Sequence, residues 1–76
     1  MSEVAMQLDA RGLMCPLPVL RAKKAVSGLN SGQVLELLSS DPGSSRDLDA
    51  FCKQTGNEYL SCDERDGMFV IQIRKS

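Results

Sequence analysis

The chain has no histidine and no tryptophan, and its aromatic residues are two Phe and one Tyr. Without histidine it lacks the commonest zinc ligand and the commonest general base, and a Cys-His nucleophile pair is excluded within this chain. The scarcity of aromatics and the formal net charge of -1 argue against direct nucleic-acid binding. No apolar run approaches the roughly 20 residues that a membrane-spanning helix needs, so no membrane association is expected.

The N-terminal sequence MSEVAMQLDA has neither a basic segment nor an apolar segment of a signal peptide. Three widely spaced cysteines make a poor disulfide framework, and without histidine they also make a poor metal site. No pair of them forms a CxxC motif, so a thioredoxin-like dithiol has no support. We therefore expect a cytoplasmic protein without a metal, folded as one small domain over residues 1–76.

Hydrophobic periodicity predicts six elements. Alternation predicts strands over residues 3–9, 33–39, 58–63 and 68–75, and Asp66-Gly67 predicts a hairpin turn between the last two. A helical pattern runs from residue 16 to about 27, and a second helix follows Ser44, with Ser44 as N-cap, Asp47 completing a capping box and Gly56 as C-cap. The order β-α-β-α-β-β predicts an α/β two-layer sandwich, with a four-stranded mixed sheet and two helices on one face.

The predicted core follows from the same periodicity. The first strand places Val4, Met6 and Leu8 on one side, and the last strand does the same with Phe69, Ile71 and Ile73. The first helix has an apolar stripe of Val19, Ala22, Val26 and Leu29, and the second has one face of Leu48, Phe51, Cys52 and Thr55. Cys52 is therefore expected to be a small core residue, whereas Cys62 is assigned no role.

Cys15 occupies the position with the clearest chemical meaning. Gly12 lies in the turn before it, and Pro16 and Pro18 follow it where the first helix begins, since proline is favoured in a first helical turn. The unpaired N–H groups and the dipole of a helix N-terminus favour a thiolate. From the residues alone, a buried structural Cys15 remains the alternative.

The segment around Cys15 is free of acidic residues. None lies between Asp9 and Glu36, and the basic residues within it are Arg11, Arg21, Lys23 and Lys24. This charge pattern predicts a positive potential that would favour a thiolate and attract an acidic partner, although a merely solvated basic helix face is an equal alternative.

Leu17 projects near two of these cations, Arg21 and Lys24. An apolar side chain flanked by cations suits a docking surface for a partner, and the alternative is that Leu17 only covers the end of the helix. Asp9 and Asp41 end two predicted strands, and parallel strands would bring these ends, with the helix starts that follow them, to the same edge of the sheet as Cys15. Asp9, Asp41 and Arg46 are therefore candidates for the surroundings of the thiol, with turn formation and capping as their ordinary roles.

Three stretches resemble the TusA/SirA-like family of small sulfur-carrier proteins. They are LDARGLMCPLP (8–18), which contains a Cys-Pro-x-Pro motif, SDPGSSRDL (40–48) and FVIQIRK (69–75). The resemblance implies the same β-α-β-α-β-β fold and a sulfurtransferase of the carrier type, in which Cys15 accepts sulfane sulfur as a persulfide. It also implies that Pro16 and Pro18 are the motif prolines and that Gly12 and Asp9 occupy the positions ahead of the cysteine.

The resemblance further implies a set of partners. A cysteine desulfurase or rhodanese-like protein would donate the sulfur, and a cysteine of another protein would accept it, in tRNA thiolation, cofactor sulfuration or oxidative sulfur metabolism. No cofactor is needed, and a monomer is expected. The alternative from another class is a non-catalytic interaction or redox-regulatory module, in which Cys15 is a structural or switch thiol.

Overall fold

A computed structural model of the protein describes residues 4–14 and 17–76. The elements in these ranges are β1 (Val4–Ala10), α1 (Leu17–Ser27), β2 (Val34–Ser39), α2 (Ser44–Thr55), β3 (Glu58–Arg65) and β4 (Met68–Arg74). The predicted order of elements is confirmed, and β3 continues to Arg65, past its predicted end at residue 63. No helix in the described ranges is long and apolar enough to cross a membrane.

The four strands form one mixed sheet in the order β1-β2-β4-β3. β1 and β2 are parallel, with Ala10 opposite Ser39, whereas β4 is antiparallel to both β2 and β3. Ser39 also lies opposite Phe69, near the start of β4. The loops that follow β1 and β2 and the β3–β4 turn therefore share one edge of the sheet, which we call the loop edge.

Both helices pack against the same apolar core. α1 contacts β1 and β2, α2 contacts β3 and β4, and the two helices contact each other. The core cluster is made of Ala10, Ala22, Val26, Leu29, Leu35, Leu37, Leu48, Phe51, Cys52, Ile71 and Ile73. Val19 and Phe69 pack against it from partly buried positions. This confirms the two-layer α/β sandwich and the predicted apolar stripes, except that Thr55 is exposed at the end of α2.

The predicted alternation of β1 is wrong at its first residue. Met6 lies opposite Leu35 and Leu8 packs against the core, but the pairing register shifts between Val4 and Met6. Because an extra residue in a strand reverses the faces, Val4 pairs with Val34 on the other side of the sheet. Val4 is 41% exposed and Met6 is 39% exposed, so neither has the half-buried position that the alternation predicts.

The predicted capping box of α2 is also wrong. The N-cap is Gly43, not Ser44; its carbonyl accepts the N–H of Asp47 over 3.2 Å, and as a glycine it makes no side-chain cap hydrogen bond. Ser44 is the first helical residue, and its buried hydroxyl shares a hydrogen bond of 2.7 Å with the hydroxyl of Ser39. At the other end the prediction is confirmed, since Gly56 caps the helix in the left-handed region at φ 79°.

The sheet face opposite the helices carries a polar row across its three neighbouring strands β1, β2 and β4. The carboxylate of Glu36 accepts hydrogen bonds from Gln7 over 2.8 Å and from Gln72 over 3.2 Å. Both carboxylate oxygens of Glu36 are therefore satisfied within the sheet.

Candidate functional site

The loop edge brings the β1–α1 loop against the β2–α2 loop. The N–H of Gly12 donates to Oγ of Ser40 over 2.9 Å, across 28 positions of sequence. Gly12 has φ +81°, a left-handed conformation that side chains with a Cβ rarely adopt. The turn predicted from the glycine is confirmed, and its tether to Ser40 is a feature that the sequence pattern does not indicate.

Cys15 and Pro16, the central residues of the predicted site, lie outside the described residues. The structure places their neighbours in the chain. Met14 accepts a hydrogen bond of 2.8 Å from the N–H of Leu17, which opens α1. Pro18 is buried in the first turn of α1, whereas Met14 is 76% exposed. The residue before the Cys-Pro-x-Pro motif is thus exposed, and the last residue of the motif is anchored in the start of α1.

Asp9 and Arg11 form an ion pair just before this loop. The Arg11 guanidinium donates from Nε over 2.9 Å and from Nη2 over 2.8 Å, and its backbone N–H donates over 3.0 Å. Hydrogen bonds from Arg11 lower the pKa of Asp9 to about 2. Asp9 therefore offsets the charge of Arg11 locally, and the positive potential expected around Cys15 stays a prediction.

The β2–α2 loop is organised by its own side chains. The N–H of Asp41 donates to Oγ of Ser39 over 3.1 Å, and the carboxylate of Asp41 accepts the N–H of Gly43 over 2.9 Å. Arg46 is exposed on the first turn of α2. Asp9 and Asp41 thus make turn-type contacts, which are their ordinary roles, and how any of the three candidates stands toward Cys15 remains a prediction.

The outward face of α1 carries both apolar and cationic side chains. Leu17 and Leu20 are 45% and 54% exposed, and Arg21 and Lys24 are exposed beside them. These four residues have the spacing i, i+3, i+4 and i+7, which places them on one helix face. Arg21 and Lys24 make no ion pair with another residue in the described ranges.

The sequence reasoning identified this face through Leu17, Arg21 and Lys24, and it missed Leu20 and Met14. The helical spacing from Leu17 would have indicated Leu20. We call Leu17, Leu20, Arg21 and Lys24 the α1 face.

The two other thiols have different surroundings. Cys52 is buried as predicted, and burial, with a smaller effect of the Asp49 charge, raises its pKa to about 11. Cys62 is exposed on β3, opposite Ile71. Residues 4–14 and 17–76 contain no group of three or more His, Cys, Asp or Glu side chains arranged to hold a metal.

Comparisons with a family model, with curated proteins and with solved structures each identify similar proteins. The family model described as "Sulfurtransferase TusA" matches residues 6–75. The chain is 53% identical over 76 residues to the sulfur carrier protein TusA of Allochromatium vinosum, which covers 100% of both chains. It is 43% identical over 68 residues to the sulfur carrier protein TusA of Pseudomonas entomophila, covering 90% of this chain and 85% of that one.

A solved structure is similar as well. The crystal structure of a SirA-like protein from Desulfitobacterium hafniense superposes with a TM-score of 0.76. It has 33% sequence identity and covers 91% of this chain and 95% of that one. The β-α-β-α-β-β arrangement is therefore shared with a protein of known structure.

Proposed function

The chain belongs to the sulfurtransferase TusA family, and from this premise we propose that it relays sulfane sulfur as a persulfide on Cys15. A sulfur carrier role is supported by the relative from Allochromatium vinosum, which is named a sulfur carrier protein and matches this chain over its whole length. The observation that carries the residue assignment is the Cys-Pro-x-Pro sequence, Cys15 to Pro18, which leads directly into α1. A helix N-terminus favours a thiolate.

The proposed loading step needs only thiol chemistry. The Cys15 thiolate attacks the terminal sulfur of a donor persulfide, R–S–SH, and a new S–S bond forms as the S–S bond of the donor breaks. The donor leaves as the thiolate R–S⁻, and the proton stays on the transferred sulfur. Because both nucleophile and leaving group are thiolates, the absence of histidine is no obstacle, and the step uses no cofactor.

Delivery repeats the same exchange with another protein. An acceptor thiolate attacks the terminal sulfur on Cys15, takes it as its own persulfide, and releases the Cys15 thiolate. The proposed donor is a cysteine desulfurase or a rhodanese-like protein, and the acceptor is a protein cysteine. The downstream product, whether a thiolated tRNA, a sulfurated cofactor or an oxidised sulfur compound, is decided by which acceptor docks.

The α1 face is the proposed docking surface for these partners. Leu17 and Leu20 offer exposed apolar area within the first turns after Cys15. Arg21 and Lys24, which form no ion pair within residues 4–14 and 17–76, offer positive charge on the same face. A partner with an acidic rim around an apolar centre would complement it, and opposite charges accelerate association.

The cellular setting belongs to the same proposal. A persulfide relay between thiols requires a reducing compartment, so we place the protein in the cytoplasm. We expect the free carrier to be a monomer, since its α1 face must be open to donor and acceptor in turn.

Mass spectrometry after incubation with a cysteine desulfurase and cysteine tests the assignment. The wild-type chain should gain the mass of one sulfur atom, and Cys15→Ser should gain none. Cys62→Ser, which removes the exposed thiol on β3, is the matched control and should load like the wild type. A gain that persists in Cys15→Ser would show that another residue carries the sulfur.

A further inference from the structure

A surface cavity of about 480 Å³ lies at the loop edge, beside the tethered loop that leads to Cys15. It is lined by Arg11, Ser40, Arg65, Asp66, Gly67 and Met68. The lining combines the β1–α1 loop, the residue after β2 and the β3–β4 turn, so three chain segments build it. Its volume falls in the range of about 300–1,000 Å³ that is typical of small-molecule sites.

Arg65 supplies an unused charge to this cavity. Among residues 4–14 and 17–76 its guanidinium has no ion-pair partner, whereas Arg11 is already paired with Asp9 over 2.8 Å. Asp66, in the turn, adds one negative charge to the lining. The cavity therefore offers one unpaired guanidinium against one nearby carboxylate, an arrangement that suits a singly charged anion better than a doubly charged one.

The remaining lining indicates which monoanion fits. Oγ of Ser40 accepts the N–H of Gly12, which leaves the hydroxyl hydrogen of Ser40 available to donate. A planar guanidinium and a hydroxyl donor match the two oxygens of a carboxylate. Met68 adds an apolar wall to the same cavity, against which an aliphatic side chain next to the carboxylate can pack.

We propose that this cavity binds the C-terminal carboxylate of a short peptide thiol, with Arg65 and Ser40 as its donors. The proposal rests on the proposed function, because such a peptide in its persulfide form would be a small sulfur donor for Cys15. Arg11, which lines the cavity, lies four positions before Cys15 in the sequence. The exchange is the one described above, with R–S⁻ being the thiolate of the peptide.

Binding is tested without sulfur chemistry in a Cys15→Ser chain. The probes are N-acetyl-glycyl-leucine, its C-terminal amide and inorganic phosphate, each titrated while amide signals are followed by NMR. The free acid should shift the signals of Gly12, Asp66 and Gly67, and the amide should not. Arg65→Gln should weaken the binding of the free acid by about tenfold, the loss expected for one charge-assisted hydrogen bond.

A matched variant controls for net charge. Lys75→Gln makes the same charge change beyond the end of β4, at the opposite edge of the sheet, and should bind the free acid as the parent does. Equal shifts with the free acid and the amide, equal binding of phosphate, or unchanged binding in Arg65→Gln would each overturn the proposal. An unchanged amide spectrum outside the loop edge verifies that Arg65→Gln is folded.

A second experiment separates this proposal from the proposed function. A persulfidated cysteinyl-leucine dipeptide, as free acid or C-terminal amide, is offered to the wild-type chain at low concentration. The free acid should load Cys15 about tenfold faster, and Arg65→Gln should remove the difference. Equal loading by both peptides would overturn the carboxylate site and leave the carrier function intact. Binding of the free acid without any loading of Cys15 would overturn the peptide as a sulfur donor, whereas the carrier function is tested separately by loading from a cysteine desulfurase.

Discussion

The N–H of Gly12 donates to Oγ of Ser40 over 2.9 Å, and this contact fastens the loop before Cys15 to the loop after β2. Parallel pairing of β1 with β2 places Ala10 opposite Ser39, so the residues that follow each strand meet at the same edge. The start of the loop that precedes Cys15 in the sequence is thus held by the sheet.

Ser40→Ala should loosen this tether. It removes the acceptor of the Gly12 N–H, so hydrogen exchange at Gly12 should accelerate, and the free energy of unfolding should fall by about 1 kcal/mol. Ser31→Ala, at an exposed turn before β2 on the opposite edge, is the control and should change neither quantity. Unchanged exchange at Gly12 in Ser40→Ala would show that the contact does not hold the loop.

Gly12→Ala should destabilise the chain through the backbone alone. Among the described residues, and apart from the two chain neighbours of Gly12, no atom lies within 4 Å of the Cβ that the substitution adds, but φ is +81°. The left-handed conformation costs a residue with a Cβ about 1–2 kcal/mol, which chemical denaturation should show as a lower free energy of unfolding. At Gly28, where φ is not left-handed and the added Cβ would meet the Ala25 carbonyl at 3.6 Å, alanine should cost less. Equal losses at both positions would contradict this explanation.

Turn and cap residues show what can be predicted from the sequence. Gly12, Gly56 and the Asp66-Gly67 turn were predicted correctly because the conformation depends on the residues themselves, and all four have positive φ. The alternation of Phe69, Ile71 and Ile73 is likewise sufficient to predict strand β4, because it too is a local pattern.

The errors arose where contacts between distant segments decide the structure. Ser44 has the residue type of an N-cap, but it faces Ser39 in the interior, and the sequence does not indicate that contact. Val4 changes face because of a bulge against β2. Likewise, Arg65 joins Arg11 in one cavity because the strand order places the β3–β4 turn at the loop edge.

Cys52 should resist alkylation in the folded protein. Burial raises the pKa of its thiol from 9.0 to about 11, so almost no thiolate is present at pH 8. Iodoacetamide followed by peptide mass mapping should label the exposed Cys62 and leave Cys52 unmodified, and all three cysteines should be labelled after unfolding in guanidinium. Labelling of Cys52 at the rate of Cys62 in the folded chain would contradict its place in the core.

The same pKa predicts a loss of stability at high pH. Below pH 9 the thiol is protonated in both the folded and the unfolded chain, and above it the unfolded chain ionises first. The contribution of Cys52 to stability should therefore fall as the pH rises from 9 toward 11. Thermal unfolding at these pH values should show a smaller decline in Cys52→Ala than in the wild type.

Reversing the charge of the α1 face should slow transfer without changing the thiol. Arg21→Glu combined with Lys24→Glu should reduce the rate of sulfur delivery to an acidic partner by about tenfold or more at low salt, since steering by charge accelerates association. The effect should shrink as salt is added, because screening weakens it. Alkylation of Cys15 by iodoacetamide should proceed within about twofold of the wild-type rate, a small change that reflects only the altered charge.

Lys53→Glu combined with Lys75→Glu is the control for that experiment, because it makes the same change in net charge away from the α1 face. It should leave delivery close to the wild-type rate. If both double variants slow delivery equally, total charge and not the α1 face governs docking.

The central claim is that Cys15 holds sulfur between two partners. The direct measurement loads the chain with labelled sulfane sulfur from a desulfurase, removes the donor, adds an acceptor protein and follows the label on both chains by intact mass. The account predicts that the label leaves Cys15 and appears in equal amount on a cysteine of the acceptor. Label that stays on Cys15, or that is released as free sulfide without reaching the acceptor, would contradict it.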